Sequence, residues 1–329
     1  MFNILTIDLE DYFQVHAFSN VVRFEDWGNH ESRIEHNTCR ILEILNGLPQ
    51  SPVLSPQGLD SAPCSPPKAT FFILGWLAER YPHLIRKIKK EGHEIACHGH
   101  AHQLIYNQSK DEFREDIKRA KAILEDVSGD EVIGYRAPSY SITNKSQWAF
   151  EVLMEEGFKY DSSIFPIHHD FYGFPQAPRF PFRISLNGNN NYEFQILNFE
   201  LKAAGHWTLD TPHSLLEFPL STVRFGGVNF PISGGGYFRL FPYFLIEKGL
   251  RRINEEEEQP FIFYIHPWEI DPDQPRINSI SRKSRFRHYV NLHKTESKFK
   301  NLLSDFRFSA ISNVLNGIPQ HGITPAIIK

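Results

Sequence analysis

The chain has 329 residues, which is long enough for one large α/β domain or two smaller domains. Its formal net charge of −4 gives no general reason to expect nucleic-acid binding, and its three cysteines supply no disulfide framework. The N-terminal segment lacks the basic and apolar regions of a signal peptide, and no apolar stretch approaches the roughly 20 residues that span a bilayer. We therefore expect a cytoplasmic protein without a transmembrane segment.

Short apolar runs of β character recur along the chain and are separated by helical patterns. Strands are predicted at Ile4–Asp8, Ala69–Leu74, Glu94–Cys97, Val132–Tyr135 and Phe261–Ile265. Helices are predicted from Leu77 to the stop at Gly92, from the capping box Ser109–Glu112 to Gly129, and over Lys145–Glu156. Alternation of strands and helices favours a parallel sheet with helices outside it.

Two segments interrupt this alternation. Residues 46–68 are rich in proline and serine and are predicted to form a surface insertion. Residues 165–260 are rich in proline, glycine and asparagine, with strands predicted near Tyr192–Phe199 and Glu217–Phe225. We expect one domain over residues 1–275 that contains both insertions, and a basic helical extension over residues 276–329 that packs on it.

Chemically active side chains follow four of the predicted strands. Asp8, His98, Arg136 and His266 each stand at or just after the end of an apolar run. The carboxyl ends of successive parallel strands meet on one face of a barrel, which is where barrel enzymes hold their active sites. We therefore predict a barrel, with a doubly wound sheet as the alternative.

Three histidines at alternate positions end the third predicted strand: His98, His100 and His102. Because residues four apart face the same way on a helical turn, His98 and His102 form the better metal-binding pair, and His100 is left for the substrate cleft. A lone histidine is more often structural, but three at this spacing favour one divalent metal ion. Imidazole suits zinc, with cobalt, nickel or iron(II) as alternatives.

An acidic cluster interrupts the first strand, where Asp8, Glu10 and Asp11 place three carboxylates close together. Their repulsion is costly unless a cation or an arginine compensates it, and a solvated acidic turn is the alternative interpretation. Strand alternation puts Glu10 on the face of Asp8, whereas a turn at this point would present Asp11. Either Glu10 or Asp11 is therefore the predicted acidic metal ligand.

Arg136 and His266 also end strands. An arginine at such a position can clamp a carboxylate through two hydrogen bonds, and the alternative is a salt bridge between a helix and a loop. A histidine at the end of a very apolar strand can act as an acid or a base, and the alternative is a buried structural histidine.

Taken in order, five segments resemble the motifs of the NodB-homology polysaccharide deacetylases, carbohydrate esterase family four. They are the acidic segment Thr6–Asp11, the pair His98 and His102, the segment Arg136–Tyr140, the segment Asp161–Ser163 and the strand end at His266. The adjacent aspartates usual in the family are replaced by Asp8-Leu9-Glu10-Asp11. The resemblance extends over nearly the whole chain.

Four segments are more similar to one subgroup, the deacetylases of bacterial exopolysaccharide loci associated with exosortase systems. These segments are Asp8–Val15, Gly235–Arg239, His266–Glu269 and Arg287–Tyr289.

The resemblance implies a distorted (β/α)7-type TIM-like barrel and a role for each motif. A metal ion held by the two histidines and one acid activates water and polarises an acetyl carbonyl. Asp8, oriented by Arg136, takes the water's proton, and the backbone N–H of Tyr140 helps the metal stabilise the oxyanion. His266 protonates the departing amine, with Asp161 holding its ring.

The implied reaction is removal of N-acetyl groups from amino sugars of a polysaccharide or its precursor, in exopolysaccharide biosynthesis. The predicted partner is an N-acetylated glycan, and the basic tail could approach the inner face of a membrane. The alternatives are hydrolysis of small cyclic or linear amides on the same fold, and a glycan-binding relative without catalysis. A general metallohydrolase such as a phosphodiesterase fits less well, because no second dense His/Asp cluster is present.

Overall fold

A computed structural model describes residues 1–48, 65–169, 171–186, 192–196 and 213–315, together with the backbone of 54–55 and 58–59. The strands are β1 (Phe2–Leu9), β2 (Leu54–Ser55), β3 (Gly58–Leu59), β4 (Thr70–Ile73), β5 (Glu94–Cys97), β6 (Gly134–Tyr135), β7 (Tyr160–Asp161), β8 (Phe182–Leu186), β9 (Tyr192–Ile196), β10 (Ser214–Glu217), β11 (Thr222–Phe225), β12 (Val228–Pro231), β13 (Ile262–Ile265) and β14 (Arg307–Ser309).

Ten α-helices accompany the strands in the described residues. They are α1 (Ile34–Gly47), α2 (Gly75–Arg80), α3 (Pro82–Lys90), α4 (Lys110–Ser128), α5 (Trp148–Glu155), α6 (Gly235–Leu240), α7 (Tyr243–Glu255), α8 (Arg282–Tyr289), α9 (Leu292–Asp305) and α10 (Ile311–Leu315). Short 3-10 turns lie at His16–Phe18, Phe24–Asn29, Ile105–Asn107, Pro138–Tyr140 and Pro267–Ile270.

One large sheet organises the fold, in the order β13-β1-β4-β5-β6-β7-β10-β8-β9. The strands from β13 to β10 are parallel, and β8 and β9 extend the sheet in antiparallel pairing. β14 pairs with the first half of β1, so the basic C-terminal segment contributes a strand to this same sheet. The predicted α/β fold with a parallel-rich sheet is therefore confirmed.

The predicted barrel is not confirmed, because the sheet is open. Its end strands are β13 and β9, and the described residues show no pairing between them. At the β13 edge, the N–H of Tyr264 donates to the carbonyl of Ser233 at 2.8 Å, and Gly234 forms an isolated bridge there. Gly234 has φ of +137°, and a Cβ on it would lie 1.9 Å from the Tyr264 carbonyl oxygen. This segment covers the edge that a closing strand would need.

The predicted single helix after β4 is two helices, α2 and α3. Pro82 begins α3, and Tyr81 between the helices has φ of −126° and ψ of 52°. The residue before a proline is disfavoured in the α conformation, which breaks the run. In contrast, the capping box of α4 is confirmed, with Ser109 accepting from the N–H of Glu112 and Gly129 in the left-handed conformation.

Some predictions lie partly outside the described residues. These are the insertion at 46–68, the end of the predicted strand Tyr192–Phe199, parts of the segment 165–260 (residues 170, 187–191 and 197–212), and residues 316–329 of the C-terminal extension. Within the described residues, no helix has both the length and the apolar character needed to cross a bilayer.

Replacing Gly134 with alanine is expected to destabilise the protein. A Cβ at Gly134 would lie within 2.0–2.6 Å of the buried ring of Tyr160, whose hydroxyl is fixed by a 2.8 Å hydrogen bond to Glu94. Overpacking of a well-packed core costs about 1–3 kcal/mol. We therefore expect the free energy of unfolding, measured in urea, to fall by about this amount. The matched control is Gly47→Ala in α1, where no atom lies within 4 Å of the new Cβ and no loss is expected.

Candidate active site

The carboxyl ends of β1, β5, β6 and β13 meet at one edge of the sheet, and their polar side chains are in contact there. Arg136 Nη1 donates to Asp8 Oδ1 at 2.6 Å, and His266 Nε2 lies 3.8 Å from Asp8 Oδ2. His98 Nε2 lies 3.1 Å from Glu10 Oε1. These side chains were singled out from the ends of apolar runs, and the structure brings them together.

Glu10, His98 and His102 form a convergent, buried set of three potential metal ligands. Each offers one atom, and the three atoms lie within 4.8 Å of one another. Glu10 Oε1 is 3.1 Å from the Nε2 atoms of both histidines. His102 reaches this position through a backbone turn in which its φ is +52°, so the two rings converge across a loop and not along a helical turn as predicted.

The chemistry of this donor set fits a divalent cation. His98 Nδ1 lies 2.7 Å from the carbonyl oxygen of Arg136, so it must be the N–H donor of that ring. In the neutral ring, Nε2 then carries a lone pair that faces the oxygen of Glu10. Two acceptors that face each other at this distance need a cation or an added proton between them. Two imidazoles with one carboxylate form a ligand set of catalytic zinc sites, and the Nδ1 hydrogen bond fixes the His98 ring as their outer partners do.

Glu10 is held in its ionised form. Burial favours the neutral acid, but the charges of His102 and His266 and the close side-chain contacts with His102 and His98 hold the pKa of Glu10 well below its ordinary value. The carboxylate is therefore available as a ligand.

Asp11, the other predicted acidic ligand, is engaged elsewhere. Its Oδ2 accepts from Ser32 Oγ at 2.8 Å and from the N–H groups of Arg33 at 2.8 Å and Ile34 at 3.2 Å. These hydrogen bonds satisfy donors at the start of α1, as a helix cap does. The geometry therefore favours Glu10 and not Asp11 as the acidic ligand.

His100 does not face the site, contrary to expectation. Its Nδ1 lies so close to Gly75 that a Cβ there would be 2.7 Å away, and its N–H donates to Asp116 Oδ2 at 2.8 Å. Because Gly99 and His102 both have positive φ, the backbone twists between the three histidines and turns the middle ring toward α2 and α4.

Asp8 is fixed by two donors. Arg136, which is fully buried, binds Asp8 Oδ1 and also donates to the carbonyl and hydroxyl oxygens of Ser162 at 2.9 and 2.7 Å. Tyr140 Oη donates to Asp8 Oδ2 at 3.1 Å. The interaction of Arg136 with Asp8 uses Nη1 alone, which also donates to Thr6 Oγ1 at 2.8 Å, because Nε and Nη2 both donate to Ser162. Asp8 therefore has a defined orientation with Oδ2 facing His266.

Tyr140 contributes its hydroxyl where its backbone N–H was expected. That N–H donates to the Ala137 carbonyl at 3.0 Å, within a turn where Ser139 and Tyr140 have φ of +52° and +55°. This corrects the predicted oxyanion role of the Tyr140 N–H, because the donor is already occupied.

His266 is oriented by Glu269 and not by Asp161, which corrects the expectation. Glu269 Oε1 lies 2.6 Å from His266 Nδ1, and its Oε2 accepts from Arg239 Nε at 2.7 Å. Trp268 stacks on the His266 ring with centroids 5.3 Å apart and an interplanar angle of 28°. Asp161 instead lies beside Glu217 and accepts from Ser163 Oγ at 2.5 Å. Glu269 and Arg239 were not predicted as site residues, although both lie in segments noted above for their similarity to the subgroup.

These contacts favour the charged imidazolium of His266. Burial lowers the pKa of this ring, but Glu10, Glu269 and Asp8 outweigh burial and raise the pKa of His266 to about 9. Nε2 of the imidazolium carries a proton and points toward Asp8 Oδ2 and Glu10 Oε1, at 3.8 and 3.7 Å.

A second pair of carboxyl side chains, Asp161 and Glu217, lies next to the candidate site. The two residues are direct neighbours across β7 and β10 and are fully buried. Glu217 Oε1 accepts from the Ile164 N–H at 2.9 Å, while Asp161 Oδ2 and Glu217 Oε2 have no other hydrogen-bond partner among the described residues. Burial and the charge of Asp161 raise the pKa of Glu217 well above its ordinary value. The pair therefore shares one proton, held by Glu217.

Glu217→Gln is expected to leave stability within about 1 kcal/mol of the wild type, whereas Glu217→Leu should lose about 1–3 kcal/mol or more. The glutamine amide can donate to Asp161 as the protonated acid does, whereas leucine leaves a buried carboxylate without a partner. Urea unfolding of the two variants measures the difference. Equal losses in both would contradict the shared proton.

Comparison with family models gives two matches. Residues 66–155 match the family described as Polysaccharide deacetylase, and residues 162–316 match a Domain of unknown function, DUF3473. The first match contains His98, His102, Arg136 and Tyr140, and the second contains His266 and its partners. Asp8 and Glu10 lie outside both.

Curated relatives match parts of the chain. A peptidoglycan-N-acetylglucosamine deacetylase of Bacillus cereus is 35% identical over 98 residues, which are 30% of this chain and 36% of the relative. Another protein of that name from B. cereus is 29% identical over 134 residues, 41% of this chain and 60% of the relative. The peptidoglycan-N-acetylmuramic acid deacetylase PdaC of Bacillus subtilis is 31% identical over 106 residues, 32% of this chain and 23% of the relative. The chain thus matches less than two thirds of the length of each.

Solved structures share the fold at low identity. A Mycobacterium smegmatis protein described as a presumed polysaccharide deacetylase has a TM-score of 0.52 and 17% identity, covering 99% of this chain and 94% of that one. Puue allantoinase has a TM-score of 0.53 and 14% identity, covering 98% and 91%. These likenesses concern the fold alone. The first family model and the curated relatives together show that part of this chain is similar to polysaccharide deacetylases.

Proposed function

We propose that this chain belongs to the polysaccharide deacetylase family and is a metal-dependent hydrolase that removes N-acetyl groups from amino sugars of a glycan. The observation that carries the proposal is the placement of Asp8 Oδ2 and His266 Nε2, 3.8 Å apart, beside the ligand set of Glu10, His98 and His102. An oriented carboxylate and an oriented imidazolium next to three metal-ligand atoms supply a base and an acid for amide hydrolysis.

Each of these side chains has a distinct task. Glu10, His98 and His102 would hold a divalent cation, zinc being the best suited to this set. Such an ion, when bound, supplies Lewis-acid polarisation of the acetyl carbonyl and makes water a better nucleophile at neutral pH. Asp8 accepts the proton of the attacking water at Oδ2, because Arg136 occupies Oδ1. His266 delivers the proton on Nε2 to the departing amine, while Glu269 holds Nδ1.

The substrate class is inferred from the relatives and from sequence resemblance. The curated relatives are named for deacetylation of N-acetylglucosamine or N-acetylmuramic acid in peptidoglycan, which supports an N-acetylhexosamine as the reacting sugar. The four segments similar to the exosortase-associated subgroup support an exopolysaccharide or its precursor as the glycan. The products are acetate and a free amino sugar.

Acetate release from N-acetylglucosamine oligomers by the zinc-loaded chain tests the proposal. Asp8→Asn and His266→Ala are each expected to lower kcat by about 10²–10⁴-fold, because each removes one proton-transfer group. The exposed residues Asp126 and His293 provide matched controls, Asp126→Asn and His293→Ala, which should keep full activity. Full activity in Asp8→Asn or His266→Ala would show that the assignment is wrong. Hydrolysis of small amides with none of the oligomers would favour the amide-hydrolase alternative.

A further inference from the structure

An uncompensated basic surface lies on the C-terminal side of the site. Residues 274–295 contain no aspartate or glutamate, although the chain as a whole has a net charge of −4. Their cations are Arg276, Arg282, Lys283, Arg285, Arg287 and Lys294. Over the part of the chain that the structure describes, none of these six forms an ion pair, whereas Arg40, Arg114 and Arg251 are each paired with glutamates. Positive charge is therefore free to act on a ligand.

Two adjoining surface cavities open within this basic surface. One, of about 570 Å³, is lined by Arg276, Ile277, Arg285, Phe286, Tyr289 and Val290. The other, of about 460 Å³, shares Arg276 and Ile277 as a wall and extends to Tyr12 and Glu31, whereas the lining of the first contains no acidic side chain. The Arg276 guanidinium lies over the Tyr289 ring at 4.1 Å, and the Phe286 side chain is 58% exposed.

This combination suits a sugar that carries a carboxylate. Guanidinium groups recognise carboxylates in bidentate geometry, and exposed aromatic faces offer an apolar platform to a ring. A purely solvated helix face would explain the charge, but not an exposed phenylalanine that lines one cavity together with two arginines.

The cavities are linked to the candidate active site by stacked rings. His266 contacts Trp268 at 5.3 Å, Trp268 stacks on His288 at 4.1 Å, and His288 contacts Tyr289 at 4.6 Å between centroids. Tyr289 lines the larger cavity, so this cavity lies three ring contacts away from His266.

We propose that Arg276, Arg285 and Phe286 form a subsite for a carboxylate-bearing sugar residue of the glycan that is bound at the active site. This inference rests on the proposed function for the identity of the ligand as a glycan. It implies that the substrate is an acidic heteropolymer in which N-acetylhexosamine alternates or mixes with an acidic sugar.

Titration calorimetry on the full chain tests the subsite without requiring turnover. The probes are a hyaluronan hexasaccharide, in which N-acetylglucosamine alternates with glucuronate, and the neutral N-acetylglucosamine hexamer. We expect the acidic probe to bind about tenfold more tightly, which is the effect of roughly one strong charge-assisted contact. The double variant Arg276→Gln/Arg285→Gln should lose this preference, and Phe286→Ala should weaken binding of the acidic probe several-fold.

A matched control removes the same charge elsewhere. Arg86→Gln/Lys90→Gln on α3 replaces two exposed cations and should keep the preference. Equal affinity for the two hexasaccharides would overturn the proposal. A second result would also overturn the proposal. If inorganic tripolyphosphate bound as tightly as hyaluronan and Phe286→Ala had no effect, the surface would be a nonspecific patch of positive charge. Binding to phosphatidylglycerol vesicles without binding to hyaluronan would overturn the proposal in favour of a membrane surface. Because binding is measured directly, a chain that binds hyaluronan but releases no acetate would contradict the proposed function and leave the subsite standing.

Discussion

Glu10→Gln is expected to abolish stoichiometric zinc binding and, with it, measurable deacetylation. Glu10 Oε1 is the one atom that contacts both His98 and His102, at 3.1 Å each. A neutral amide is a poor zinc ligand, and its NH2 group can instead donate to the histidine Nε2 atoms and hold them without metal. The variant should therefore stay folded while its metal content after dialysis, measured by mass spectrometry, falls well below one ion per chain.

Asp11→Asn is the informative companion to this variant, because sequence alone left the two acids equivalent. Asp11 Oδ2 accepts three hydrogen bonds at the start of α1, and an asparagine preserves only part of this cap. We expect normal zinc content with a stability loss of about 0.5–2 kcal/mol in urea unfolding, as for other cap substitutions. Zinc loss in Asp11→Asn with retention in Glu10→Gln would reverse the ligand assignment.

The parts of the site that local patterns predict are those set by strand periodicity. Asp8, His98, Arg136 and His266 follow buried strands, so parallel pairing alone brings them to one edge. Alternation along the first strand likewise put Glu10 on the face of Asp8. The alternation of residues does not predict where β1 ends. In the structure β1 ends at Leu9, and Asp11 already faces the start of α1.

The roles that were predicted wrongly depend on backbone turns and distant contacts. Tyr140 has a positive φ that rotates its N–H, and the positive φ values of Gly99 and His102 rotate the His100 ring, by amounts that residue type does not reveal. Arg239 contacts Glu269, which lies 30 residues later in the chain, and a contact over this separation produces no periodic pattern in the sequence. The bridge between Gly234 and Tyr264 at the β13 edge of the open sheet is likewise not predictable, because it depends on a glycine conformation within an irregular segment.

Glu269 is expected to matter for both stability and catalysis, since it joins Arg239 to His266. All three side chains are largely buried, at 0%, 4% and 15% exposure for Glu269, Arg239 and His266. Glu269→Ala leaves the Arg239 charge buried without its partner, and breaking a buried pair in this way costs about 3–5 kcal/mol. Glu269→Gln keeps the shape and an oxygen acceptor for His266 Nδ1, so it should lose less stability in urea unfolding.

The effect of Glu269→Gln on catalysis distinguishes a residue that positions His266 from one that only stabilises the fold. In Glu269→Gln, His266 keeps a hydrogen-bond acceptor but loses the negative charge that favours its imidazolium. We therefore expect kcat to fall by about 10–100-fold, which is the usual effect of removing a group that orients a functional histidine. KM should stay near the wild-type value. Glu151→Gln, at an exposed pair with Lys110, is the matched control and should change neither constant. Because Asp161 does not touch the His266 ring, Asp161→Asn should not reproduce this split between kcat and KM. If Asp161→Asn reproduced it and Glu269→Gln did not, the ring would be held as the sequence first suggested, and the contact seen at Nδ1 would have no part in the reaction.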